Sequence, residues 1–245
     1  MKIYLALAAL TVSTSAYAAD LSMVSPIYPA PVSTFDWTGP YIGLHAGYGW
    51  GDETDDQSGL FPSAPSFPGF PGGPFPGADA FDMSGFVGGI HAGYTHQLPS
   101  GIVLGFEGDL DYADISGGAQ GIYREGFSLR TLGLTSHWQG SLRARTGYAI
   151  DNALLYGTAG VAFADGTLTN SGFNESDPIP SSSETRTHVG WTVGLGAEYA
   201  FTQNWIGRAE VRYTEFLQQS YPTFDGNVNA GWSQTTANVG ISYRF

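Results

Sequence analysis

The 245-residue chain has no cysteine, 35 glycines, 14% aromatic residues and only 13% charged ones, with a formal charge of −13. That is about half the charged share of soluble domains, yet the aromatic content argues against a disordered chain. The missing cysteine excludes disulfides and thiolate metal sites, and the acidic balance speaks against nucleic acid, whose phosphates need a basic face.

Residues 1–18 read as a secretory signal peptide, with Lys2, an apolar core from Ile3 to Val12 and an A-x-A site at Ala16 and Ala18. Residues 19–36 carry three prolines and read as an extended periplasmic lead-in rather than packed structure. From Trp37 onward, eight segments alternate apolar and polar residues with period two, the mark of strands with two different faces.

In the first, Ile42, Leu44, Ala46, Tyr48 and Trp50 oppose Gly43, His45 and Gly47. The second sets Phe86, Ile90, Ala92 and Tyr94 against His91, Gly93 and Thr95; the third sets Leu104, Phe106, Leu110 and Tyr112 against Glu107, Asp109 and Asp111. In the fourth, Trp138, Leu142, Ala144 and Tyr148 oppose Gln139, Ser141, Arg143 and Arg145. The fifth is blurred by Leu154 and Tyr156, but Leu155, Ala159, Val161 and Phe163 form its apolar face. The sixth places Val189, Trp191, Val193, Leu195 and Tyr199 against His188, Thr192 and Glu198; the seventh places Trp205, Ala209, Val211 and Tyr213 against Arg208, Glu210 and Arg212. The eighth sets Val239, Ile241, Tyr243 and Phe245 against Asn238, Ser242 and Arg244.

Short turns, PSG, DN and QN, alternate with long connections at about 51–83, 113–136, 165–187 and 217–231. Strict alternation of short and long links, with aromatics gathered near strand ends, predicts an all-β, eight-stranded antiparallel up-and-down transmembrane β-barrel over residues 37–245. An even strand count puts both termini on the periplasmic side.

The stretches FDWTGPYIGLHAGYGWG, GFVGGIHAGY, LGFEGDLDY, GSLRARTGYAIDNALLYGTAGVAFADG, GWTVGLGAEYAFTQNW and VGISYRF resemble the small outer-membrane β-barrel proteins of alphaproteobacteria. That family includes outer-membrane immunogenic proteins and haem-binding surface proteins. The resemblance implies an outer-membrane location and surface antigenicity, with haem binding or a porin label for some members. The terminal Tyr243 and Phe245 resemble the signal read by the outer-membrane assembly machinery. The first loop, FPSAPSFPGFPGGPFPG, departs from the family pattern.

Five inward cations, Arg143, Arg145, Arg208, Arg212 and Arg244, face five anions, Glu107, Asp109, Asp111, Glu198 and Glu210. They form either a charged constriction or an ion-paired plug. The plug is favoured, because eight-stranded barrels have room inside for side chains and little else. His45 and His91 are inward on neighbouring strands and are candidate haem or metal ligands; His137 and His188, near the loop ends, are better placed for haem at the surface. His96 falls in the lipid-facing phase. Asp52, Glu53, Asp55 and Asp56 form an acidic run that could hold a divalent cation between protein and lipopolysaccharide, although a solvated charge run is the plainer reading. Residues 61–77 are low-complexity, with phenylalanines that could serve as adhesive anchors and disorder as the plainer reading; host or environmental ligands are expected to meet the loops. Ser136 and His137, adjacent in a strand, point to opposite faces and do not make a nucleophile–base pair. The expected role is structural and interactive, without catalysis or a resident cofactor. A haem-binding surface receptor and a small passive porin are the alternatives.

Overall fold

The computed structural model describes residues 35–53, 82–123, 128–173, 178–223 and 226–245. Eight strands follow in chain order: β1 (Gly39–Glu53), β2 (Asp82–Gln97), β3 (Ile102–Tyr123), β4 (Ser128–Ile150), β5 (Ala153–Phe173), β6 (Pro178–Ala200), β7 (Trp205–Thr223) and β8 (Gly226–Arg244). Each pairs antiparallel with the next, and β1 pairs with β8 to close the barrel. The strands form because their sequences alternate; the barrel closes because that alternation runs apolar outside and polar inside. Leu44, Phe106, Leu142, Leu195 and Val239 are exposed on the outer wall, while Arg143, Glu107 and Glu210 are buried within.

Aromatic pairs ring the outer wall at two heights. Tyr112–Trp138 and Trp191–Tyr213 stand towards the loop end, with ring centroids 5.8 and 5.4 Å apart. Tyr199–Phe201 and Trp205–Tyr243 stand towards the turn end, at 5.5 and 5.2 Å. The turns are tight. Asp151 takes φ 52° in the two-residue link between β4 and β5, as a hairpin matched to strand twist requires. Gly101 takes φ 84° between β2 and β3. The face of β5 expected outside is outside, and Leu154 and Tyr156 are buried inside.

Three expectations are corrected. The segments at 113–136, 165–187 and 217–231 are strand over most of their length: β3 to β8 run far past the aromatic ring. These polar, Gly- and Thr-rich stretches carry no apolar alternation because neither face meets lipid there. The four strands β3 to β6 continue as one wall, and β7–β8 continue as a hairpin. Among the described residues, β6 and β7 part beyond the Gly190–Phe216 pair. The second correction concerns the end of the lead-in. Phe35 is not outside the fold but buried at the turn end, its ring edge-on to that of Trp37 at 4.7 Å. Gln97 Oε1 accepts from the Trp37 amide at 2.8 Å, and Thr95 donates to the Trp37 carbonyl at 2.5 Å. Lastly, the link between β6 and β7 spans Phe201 to Asn204 rather than two residues. The signal peptide, residues 19–34 of the lead-in, Asp55, Asp56 and the Pro-Gly-Phe stretch 61–77 lie outside the described residues.

Candidate functional site

The interior is layered. At the turn end Phe35, Trp37, Val103, Leu154, Ala200 and Ile206 form one apolar cluster. At the loop end Met83, Val87, Ile115, Leu134, Phe216, Tyr221 and Trp232 form another. Between them lies the charge layer.

Arg143 from β4 sits at its centre, paired with Glu107 of β3, with Asp109 at 3.0 Å and with Glu210 of β7 at 2.6 Å. Arg208 donates to Glu107 at 2.9 Å and to Glu210 at 2.7 Å. Arg212 bonds Asp109 at 3.2 Å and Glu210 at 3.1 Å. Arg145 reaches Glu198 at 2.6 Å, and its guanidinium carbon lies over the Tyr156 ring, 3.8 Å from its centroid. No side chain of these eight charged residues is more than 9% exposed. A guanidinium serves this layer better than an ammonium because its planar fork meets several carboxylates at once. Beside the layer, Asp109, Asp111, Gln139 and Arg212 line a cavity of about 10 Å³, room for at most one water. Larger depressions, about 560 and 760 Å³, lie in the apolar outer wall against residues such as Leu110, Leu142, Leu104 and Leu195.

Glycines let these side chains reach past a strand. Tyr41 of β1, Gly93 of β2 and Glu107 of β3 share one register, and the Tyr41 hydroxyl crosses the glycine to donate to Glu107 at 2.7 Å. Tyr156 of β5 crosses Gly196 of β6 in the same way and donates to Glu210 of β7 at 2.9 Å. A Cβ on Gly93 would sit 2.5 Å from the Tyr41 oxygen, and one on Gly196 would collide with the Tyr156 ring. Tyr41 and Tyr156 were not among the residues singled out from sequence. The signal for them was an inward glycine on the adjacent strand at matching depth.

Arg244 stands apart from the other four cations. It lies at the turn end, donates to the carbonyls of Thr38 and Gln203, and covers the Phe35 ring at 4.2 Å. Among the described residues, the charge layer with Asp111 therefore holds four guanidinium groups against five carboxylates. His45 and His91 meet, Nδ1 to Nδ1, at 3.1 Å, and His45 Nε2 faces Asp111 Oδ1 at 2.8 Å, off the hydrogen-bond direction.

His188, expected near the surface, is wholly buried. Its ring contacts the Leu217 carbonyl at 3.1 Å and the Tyr221 hydroxyl at 2.6 Å, and packs on Trp232. The Tyr221 hydroxyl oxygen also lies 3.0 Å from the Gly166 carbonyl oxygen. These contacts stitch the opening left where β6 and β7 part, so His188 offers no surface ligand. Burial holds its imidazole below the usual range, and burial pushes the Tyr221 phenol up to about 12. His137 is exposed, 6.5 Å from the Tyr112 ring. It sits in a bulge of β4 whose His137 and Trp138 amides both donate to Asp165 Oδ1, at 2.9 and 2.7 Å. Ser136 is buried and faces inward, opposite to His137. His96 is on the outer wall. Asp52 and Glu53 end β1, paired with Ser233 and Trp232 of β8.

A family model described as "Outer membrane protein beta-barrel domain" matches residues 4–245. The 31 kDa outer-membrane immunogenic protein of Brucella melitensis biotype 1 is 36% identical over 252 residues, covering 95% of each chain. The 22 kDa outer membrane protein of Rhizobium leguminosarum bv. viciae is 30% identical, covering 90% of this chain and 82% of that one. Among solved structures, the attachment invasion locus protein Ail of Yersinia pestis is 15% identical at a TM-score of 0.40, covering 85% of this chain and 99% of that one.

Proposed function

Since the chain belongs to the outer-membrane β-barrel protein family and is a surface protein of the outer membrane, we propose that it is a closed, non-conducting barrel that supports the envelope and presents its outer end to surroundings. The observation that carries this reading is the charge layer, covered on both sides by apolar clusters. Ions crossing it would have to break pairs that have no water to replace them. An eight-stranded interior filled in this way leaves no aqueous path.

In this reading the outer end contacts lipopolysaccharide and environmental ligands, and the C-terminal Tyr243 and Phe245, their rings 5.2 Å apart on the outer wall, meet the assembly machinery. No catalytic role is assigned: Ser136 and His137, adjacent in sequence, are divided by the wall. The refolded full chain in a planar bilayer is expected to show no steady open level. A steady single-channel conductance would reject the closed barrel. Cells lacking the protein are expected to become more sensitive to detergent; unchanged sensitivity would remove the envelope role.

A further inference from the structure

Four residues on four strands form a continuous line of contacts at the closing seam of the barrel. Ser242 Oγ of β8 lies 2.7 Å from His91 Nε2 of β2. The contact passes over Gly43 of β1, with which both residues are in register. His91 Nδ1 meets His45 Nδ1 of β1 at 3.1 Å, and His45 Nε2 faces Asp111 of β3 at 2.8 Å.

Proton positions follow by elimination. An ionised carboxylate has no proton to give, so the nitrogen facing Asp111 carries one. His45 Nδ1 is then the acceptor, the proton between the rings belongs to His91 Nδ1, and His91 Nε2 accepts from the Ser242 hydroxyl. One more proton fits without moving a ring: it enters at His91 Nε2, and Ser242 turns to accept. A second does not fit, because it would set two N–H groups head to head across 3.1 Å.

The charge count points to the same place. Glu107, Asp109, Glu198 and Glu210 each have a guanidinium nitrogen at 3.0 Å or closer. Asp111 has its nearest at 3.7 Å, from Arg212. The least compensated of the five carboxylates is the one that His45 contacts. The pair is faced by Tyr41 from β1, by Glu107, Asp109 and Asp111 from β3, and by Arg208 from β7; β8 brings the uncharged Ser242. Among the described residues, no group of three His, Asp or Glu side chains converges in a metal-holding arrangement.

We propose that the His45–His91 pair is a proton-binding site of the interior, taking up one proton that balances Asp111 and being forced apart by a second. Because the line runs from β2 over β1 to β8, the second proton loosens the seam where the barrel closes. The site does not depend on whether the barrel conducts.

The test is ring-nitrogen NMR of the ¹⁵N-histidine-labelled full chain refolded in detergent micelles, titrated from pH 8 to pH 4, with H45Q and H91Q spectra for assignment. The expected result is a first uptake at His91 Nε2, with one proton still held between the two Nδ1 atoms, then a second uptake that coincides with faster amide exchange in β1 and β8. D111N is expected to move the first midpoint to lower pH by about one unit, a tenfold loss of proton affinity. Two independent titrations near the ordinary histidine midpoint would overturn the site, as would two rings that stay neutral to pH 4. A divalent metal in the purified barrel, whose removal by chelator changes both Nδ1 signals, would overturn it as well. The wild-type titration decides even where D111N does not fold.

Discussion

Arg143 has three carboxylates around it and no exposed surface. Arg143→Ala would strand Glu107, Asp109 and Glu210 in a site without water, and breaking such a set by removing one partner costs about 3–5 kcal/mol. The measurement is the heat-induced shift from folded to unfolded band in detergent, expected many degrees lower than wild type. Arg143→Lys is expected to recover only part of the loss, since one ammonium cannot bridge what two guanidinium nitrogens do. Gly196→Ala tests the straddled contact: the added methyl displaces Tyr156 from Glu210, with a smaller fall of about 1–3 kcal/mol for a buried hydroxyl donor left without its acceptor. Alternation along β4 and β7 is enough to send Arg143, Arg145, Arg208 and Arg212 inward. It gives the face of a residue but not its height, which is why Arg244 shares their phase and none of their partners. His188 hid for a related reason. Its depth depends on Trp232 and Tyr221, more than 30 residues further along the chain.

At the scale of elements, the barrel wall outlasts the apolar pattern that reveals it. Lipid imposes alternation only between the two aromatic rings; beyond them the strands persist through backbone pairing and scattered interior packing, and a sequence reading sees loops. The bulge in β4 is one device that manages this passage, with Asp165 of β5 accepting from both of its amides. Asp165→Ala is expected to speed amide exchange at His137 and Trp138, with a stability loss of about 1 kcal/mol. The parting of β6 and β7 is closed by side chains instead, and there pH acts. The folded state holds His188 neutral, while the unfolded chain accepts a proton there near pH 6.5. The His188 contribution is therefore complete above that value and is lost as pH falls below it. His188→Gln is expected to flatten the decline in melting temperature between pH 7 and pH 5; an undiminished decline would assign it to other groups.

The whole molecule inverts a soluble protein: its outer wall between the rings carries apolar side chains, and its charges are gathered in the centre. That inversion constrains how the chain enters a membrane. A lone β7 crossing a bilayer would show Arg208, Glu210 and Arg212 to hydrocarbon, and each such arginine costs about 2–4 kcal/mol at the midplane. The strand can cross only as part of a sheet already curling, with its concave side turned to partners rather than lipid. Glu107 gathers contacts from Arg143 on β4, Arg208 on β7 and Tyr41 on β1, the last bonded to the final strand. The layer is thus complete only when the first and last strands meet, the pairing most distant in sequence and slowest to form. Insertion and closure become one event, with no half-open resident state in the bilayer.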